Sequence, residues 1–296
     1  MMRILLFLAT NIAVILIASI TLRLLGFDGY LTQQGIDFTA LLIFAALIGF
    51  GGSFVSLLIS KWMAKRATGC VVIDRPSNPS EQWLLDTVAQ LSREAGIATP
   101  EVGIFPANQS NAFATGWKKN DALVAVSQGM MQRFNKDEIR AVLAHEIGHV
   151  ANGDMVTLAL VQGVVNTFVI FLSRVIGSIV DRVVFKNDSG HGIGFFLVSM
   201  VSQVVLGILA STIVFWFSRY REFRADAAAA QLAGPAAMIS ALQRLQRETE
   251  MPDEMPDSLQ AFGINKGRRS DMMSQLFASH PPLEKRIEAL QNRSYR

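Results

Sequence analysis

The chain has 296 residues, of which 51% are hydrophobic and 17% charged, with a mean hydropathy of +0.33. Soluble domains carry about 25% charged residues, so this composition excludes an ordinary soluble globule and requires apolar surface that faces lipid. A net charge of +3 without a basic run interleaved with aromatics excludes nucleic acid as a partner, and the single cysteine, Cys70, excludes an internal disulfide and fits a reducing compartment.

Residues 4–22 form the first of four apolar runs and residues 38–59 the second. Each reaches the ~18 residues that a helix needs to cross ~30 Å of hydrocarbon. The first follows Arg3 but is too long for a cleaved leader and lacks an Ala-x-Ala site, so it reads as a retained anchor. Gly49-x-x-x-Ser53 in the second run is a close-packing pattern. Arg3 precedes the first run and Lys61, Lys65 and Arg66 follow the second, with Asp28 and Asp37 in the loop between. By the positive-inside rule, the N-terminus and everything after residue 60 are cytoplasmic.

A segment of ordinary polarity follows. SEQWLLDTVAQLSREAGI at 80–97 has helical apolar spacing and a glycine stop. EVGIF at 101–105 reads as a strand, and SNAFATG at 110–116 with ALVAVS at 122–127 as a hairpin. NAFATG is either a plain edge strand or one that a substrate peptide extends by backbone pairing. Asn135, three residues before Glu138, forms a capping box for a helix through IRAVLAHEIGHVA that stops near Asn152-Gly153.

The third apolar run, 155–172, holds Gln162 and Asn166, and the fourth, 192–217, holds Gln203. Such amides read as glue between helices. The two runs make a hairpin out and back, whose 173–191 loop contains Arg174, Arg182 and Lys186. Only Gly207 interrupts residues 195–233, so the fourth run is expected to continue into the cytoplasm as one helix. Residues 236–249 form an amphipathic helix, 251–270 a loop, and FASHPPLEKRIEALQ a turn feeding a last helix.

The chemistry sits in VLAHEIGHVANGD at 142–154. His145 and His149 share one helical face, so both can present a ring nitrogen to one metal ion. Glu146 beside them can accept a proton from water that the metal activates. Zinc needs a third protein ligand. Asn152 and Met155 stand where a metzincin has its glycine and third histidine, so this helix does not finish its own site. His191 falls on the far side of the bilayer, which leaves His280 or a carboxylate. Glu222 and Asp226, again four apart, supply a candidate ligand and a partner for a ligand imidazole. The bland reading of both is pairing with Arg219, Arg221 or Arg224. Glu222 lies about 7–8 Å along the helix beyond Phe217, so both halves of the site fall within roughly 10 Å of one membrane face.

The two N-terminal spans, SKWMAK at 60–65, NAFATG at 111–116, HEIGHVANGDMVT at 145–157, FSRYREFRAD at 217–226 and SHPPLEKRIEAL at 279–290 resemble the HtpX family. That family comprises bacterial membrane-embedded zinc metalloproteases and is related more distantly to the CAAX prenyl endopeptidases. The resemblance covers nearly the whole chain. It implies a mainly α membrane protein, with four hydrophobic helices and a cytoplasmic gluzincin-type α+β metalloprotease domain containing a small β-sheet. It implies one Zn²⁺ per chain on His145, His149 and Glu222, with Glu146 as general base, Asp226 hydrogen-bonded to a ligand, and Asn111, Ala112 and Phe113 holding substrate. His280 and Arg286 would lie close by, to stabilise the transition state or to occlude the site. Arg224 stands where some relatives have histidine, which is not a ligand position.

The implied organisation is a transmembrane pair at 1–66, a first protease part at 67–154, a transmembrane hairpin at 155–217 and a second protease part at 218–296. The implied task is quality control of misfolded or damaged membrane proteins at the bacterial inner membrane, as part of a stress response and alongside other membrane proteases. Two other readings compete. A narrow-specificity processing peptidase would need an enclosed chamber, for which four spans are few. A non-enzymatic membrane scaffold or transporter would more often carry ionisable groups inside its spans.

Overall fold

The computed structural model describes residues 37–187, 192–248 and 280–293. The first apolar run, His191 and the 251–270 loop lie outside the described residues. In chain order the elements are α1 Phe38–Thr68, β1 Val71–Val72, α2 Pro79–Glu94, β2 Glu101–Phe105, β3 Ala112–Lys118 and β4 Asp121–Ser127. There follow α3 Gln128–Arg133, α4 Lys136–Asn152, α5 Asp154–Val183, α6 Ile193–Leu232, α7 Pro235–Arg247 and α8 Leu283–Gln291. Among the described residues, those within Met1–Ser56 and Ala159–Val214 form one compact unit, and those within Leu57–Leu158 and Phe215–Arg296 a second.

The first unit is built from apolar helix. Among the described residues, α1, α5 and α6 are long and apolar enough to cross a membrane. Close approach of α1 and α5 depends on glycine: a Cβ on Gly49 would lie 2.7 Å from the Thr167 backbone nitrogen, and one on Gly163 would lie 2.5 Å from the Phe50 ring. The predicted packing pattern is therefore used. Of the amides expected to join helices, Asn166 reaches Ser53 Oγ of α1 at 3.5 Å, Gln162 donates to Asn166 within α5 at 2.8 Å, and Gln203 is exposed.

Helix α5 runs well past its expected end at Leu172, through Arg174 and Arg182. Arg174 does not stop it because its guanidinium folds over the Phe44 ring, 5.6 Å from the centroid, and reaches the Ile170 carbonyl. Near the end of α5, the buried Asp181 carboxylate accepts from Asn187 Nδ2 and from the Gly192 N–H, each at 3.0 Å. Helix α6 continues without a break through Gly207, as expected.

The second unit is a four-stranded sheet in the order β1-β2-β4-β3, covered by helices. Strands β2 and β4 are parallel, and the other two pairs antiparallel. Strand β3 is thus an edge strand, and its residues alternate. Ala112 and Ala114 join the main core with α2, α4 and α7, whereas Phe113 packs on the other face with Phe105, Leu123, Ala125 and Ala64 of α1.

Helix α4 is set by its ends. Asn135 accepts from the Glu138 N–H at 2.9 Å and Glu138 returns the bond to the Asn135 N–H at 3.0 Å, which is the predicted capping box. Glu138 also accepts from Ser240 of α7 at 2.8 Å. Gly153 ends α4 at φ 68°, a left-handed conformation that glycine adopts without strain. That turn lets α5 start at the next residue, Asp154. Asn135→Ala is expected to lower stability by about 1 kcal/mol, read as a lower melting temperature of the detergent-solubilised chain.

Candidate metal centre

Helix α4 carries His145, Glu146 and His149 in the core of the second unit, with His145 and Glu146 almost fully enclosed. Helix α6 brings Glu222 and Asp226 against them. Gly148 allows the approach, since a Cβ there would lie 2.9 Å from the Ala228 Cβ. His145 Nε2 lies 3.5 Å from Glu222 Oε2, and His149 Nε2 lies 3.2 Å from Glu222 Oε1. An ion bound tetrahedrally at about 2.0–2.1 Å from each ligand would set the ligand atoms about 3.3 Å apart. His145, His149 and Glu222 therefore fit a zinc-sized ion, and their ligand atoms all lie within 4.8 Å of one another. The buried Glu222 Oε2 makes no hydrogen bond of good geometry, although His280 Nδ1 lies at 2.8 Å and Arg286 Nη1 at 3.2 Å. A buried oxygen with a lone pair to offer suits a ligand position.

Each imidazole is held from behind by a carboxylate. His145 Nδ1 lies 3.0 Å from Asp226 Oδ1, and His149 Nδ1 lies 2.7 Å from Asp154 Oδ2. A carboxylate only accepts, so each Nδ1 must carry its proton and each Nε2 lone pair is free to face Glu222. The spacing of Asp226 from Glu222 points to the first contact, and the sequence signal for the second is an acidic residue directly after the glycine that ends the helix. Arg221, the neighbour of Glu222, donates to the Asp154 backbone carbonyl at 2.8 Å and to Ser218 Oγ at 3.2 Å. This ties the start of α5 to α6.

The other predicted residues are brought near in different ways. Arg286 is fully buried behind Asp226, donating from Nε at 2.8 Å and from Nη2 at 2.7 Å. His280 stands beside Glu222. Asn111, Ala112 and Phe113 are buried, and the Phe113 ring lies 5.4 Å from that of Phe105, turned into the sheet's other face. The Asn111 N–H donates to Ser127 Oγ, and its side-chain oxygen accepts from the Ala112 N–H. The next residue but one, Ala114, lines the same cavity as His145, Glu146 and His149. The loop before β3 is held by Arg133, which reaches the Asn108 carbonyl, Ser110 Oγ at 3.0 Å and the Glu248 carboxylate at 3.0 and 3.1 Å. Arg133 and Glu248 lie 115 residues apart, and nothing in their local sequence marks the pair.

The charges are set by this enclosure. Burial alone would raise the Glu222 carboxyl, but the nearby charges of His280 and Arg286 hold it well below the usual range. Burial opposes ionisation of Asp226 as well, and the Arg286 guanidinium overcomes it. Arg286 is itself raised, because Asp226 and Glu222 outweigh its desolvation. Glu146 goes the other way: burial pushes it up, against the pull of the two histidines. One carboxylate is thus kept ionised and its neighbour is biased toward holding a proton.

Comparison with known proteins agrees with this chemistry. The family model described as peptidase family M48 matches residues 78–294. The chain is 67% identical to "Protease HtpX" of Hahella chejuensis over 98% of this chain and 99% of that one. It is 64% identical to "Protease HtpX" of Pseudomonas putida (strain F1) over 99% of this chain and 100% of that one. Among solved structures, S. mikatae Ste24p aligns with a TM-score of 0.63 at 19% identity, covering 97% of this chain and 67% of its own, a likeness of fold.

Asp154→Ala frees the His149 ring. It is expected to weaken metal binding by about 10- to 100-fold, as is Asp226→Ala, in a competition titration of the purified protein against a chelator.

Proposed function

The chain belongs to peptidase family M48, and on that premise we propose that this membrane metalloprotease is a zinc endopeptidase acting on misfolded or damaged membrane proteins from the cytoplasmic side. One observation carries the metal reading: the Nε2 atoms of His145 and His149 face Glu222 at 3.5 and 3.2 Å, with Glu146 on the same helix. Zinc bound there supplies a Lewis acid that polarises a scissile carbonyl and lowers the pKa of water to about 7.

Glu146 then takes the proton of the attacking water and hands it to the leaving amine. Its burial helps it hold that proton between the two transfers. Asp226 and Asp154 keep the ligand imidazoles in the Nδ1–H tautomer. Arg286 supports Asp226 from behind, and His280, beside Glu222, is the residue placed to meet the substrate or to close the site. Substrate pairs with the backbone of the Asn111–Phe113 stretch. The place of β3 at the sheet edge and of Ala114 at the site supports that role. The membrane-protein substrate class is supported by the three apolar helices and by the cations Lys61, Lys65 and Arg66 that follow the second apolar run.

The test is zinc content and casein cleavage for the purified wild type, Glu146→Gln and Glu222→Ala, side by side. Glu146→Gln is expected to keep its zinc and lose cleavage by roughly 10²–10⁴-fold. Glu222→Ala is expected to lose both zinc and cleavage. Retained cleavage by Glu146→Gln would sink the mechanism, and a full zinc equivalent in Glu222→Ala would make His280 the third ligand. For the substrate class, a misfolded multi-span protein reconstituted in the same bilayer should be cleaved, while its native form stays intact on the same gel.

A further inference from the structure

The β3–β4 turn carries Trp117, Lys118, Lys119 and Asn120, and neither the metal centre nor the core uses them. Trp117 and Lys118 are exposed, with the Lys118 ammonium 4.3 Å from the centre of the indole ring. The indole N–H donates to Asp121 Oδ2 at 2.6 Å, and the other Asp121 oxygen accepts from Lys61 of α1 at 2.5 Å. Lys61 also bonds Glu101 at 2.9 Å, and Lys65 reaches its second oxygen at 2.5 Å. The turn is therefore pinned to one place on α1.

That place is chemically marked. Leu58 and Ile59, which close the long apolar run of α1, are exposed, and Trp62 directly after Lys61 is 64% exposed. Arg66 lies 5.9 Å from the centre of the Trp62 ring. Two exposed tryptophans, each with a cation at its face, are joined through one ion pair where an apolar helix run ends. Glu101 and Asp121 are neutralised by Lys61 and Lys65, so Arg66, Lys118 and Lys119 remain as surplus positive charge.

An indole has an apolar body and one polar edge, and it favours the boundary between acyl chains and headgroups. Lysines beside it add attraction to anionic lipid. We propose that the β3–β4 turn docks on anionic phospholipid headgroups, with the Trp117 ring at the acyl boundary and Lys118 and Lys119 on phosphates. The contact is separate from the membrane helices, and it requires only that the chain sits in a membrane, not that it binds zinc. It also sets a distance. Trp117 lies three residues along β3 from Ala114 at the metal centre, about 10 Å at ~3.3 Å per strand residue. The docked turn holds the cleavage site within about that distance of the lipid that Trp117 touches, in reach of juxtamembrane segments.

The test uses the full chain with Trp62, Trp83 and Trp216 replaced by Phe, which leaves Trp117 as the one tryptophan. It is reconstituted in phosphatidylcholine bilayers with and without phosphatidylglycerol, using phosphatidylcholine brominated near the headgroup as quencher. Trp117 fluorescence should be quenched by the brominated lipid and shielded from aqueous iodide when phosphatidylglycerol is present. Lys118→Glu with Lys119→Glu should reverse both effects. Quenching by iodide alone would place the turn in water and overturn the proposal. Shielding from both quenchers would mean that protein covers Trp117, and lipid quenching indifferent to the charge reversal would remove the headgroup contact; either result overturns it too. If the triple variant fails to reconstitute, Trp117→Phe in the otherwise native chain gives the same reading. Loss of a lipid-quenched component relative to wild type supports the docking, and an unchanged quenching curve refutes it.

Discussion

An ionised carboxylate enclosed by protein is tolerated only when opposite charge and hydrogen-bond donors surround it. Glu222 imposes that constraint here, and the second unit is arranged around it. Two imidazoles approach its oxygens from α4, His280 lies against one of them, and Arg286 reaches it from α8 while forking onto Asp226. Remove the carboxylate and the buried Arg286 guanidinium loses one of the two carboxylates it faces. The same group that would hold a metal thus also organises the protein that surrounds the metal.

The supporting bonds form two parallel arms. One runs from His145 through Asp226 to Arg286, and the other from His149 through Asp154, whose backbone carbonyl is held by Arg221. In each arm an acceptor-only group fixes which imidazole nitrogen keeps its proton. The arms differ in origin. The first joins three helices, α4, α6 and α8, through side chains alone. The second uses the opening residue of α5, placed over the last turn of α4 by the left-handed Gly153.

Much of this was legible in the sequence, because it depends on spacing within one element. The capping box at Asn135, the hairpin of β3 and β4, the His145–His149 face and the Glu222–Asp226 pair each repeat at the period of the structure that contains them. The less legible parts depend on contacts between elements. Arg286 and His145 are 141 positions apart, and no local pattern says that the guanidinium is sealed beneath Asp226 rather than open to substrate. Strand β1, with two residues, is too short to show a period, and α3 is a six-residue helix capped by Ser127. The apolar run ends at Leu172 while α5 continues to Val183, because Arg174 finds an aromatic face on α1 and a carbonyl on its own helix. Spacing leaves both Glu222 and His280 open as the third ligand, and the family resemblance implies Glu222.

Helix α6 is forty residues of uninterrupted backbone, with membrane-type apolar side chains toward one end and Glu222 and Asp226 toward the other. A continuous helix has no joint at which axial motion could be absorbed. Displacement by a single residue step is about 1.5 Å, whereas ligand distances in a metal site tolerate only about 0.2 Å. A metal ion held by His145, His149 and Glu222 would therefore register where this stretch of α6 stands along its own axis.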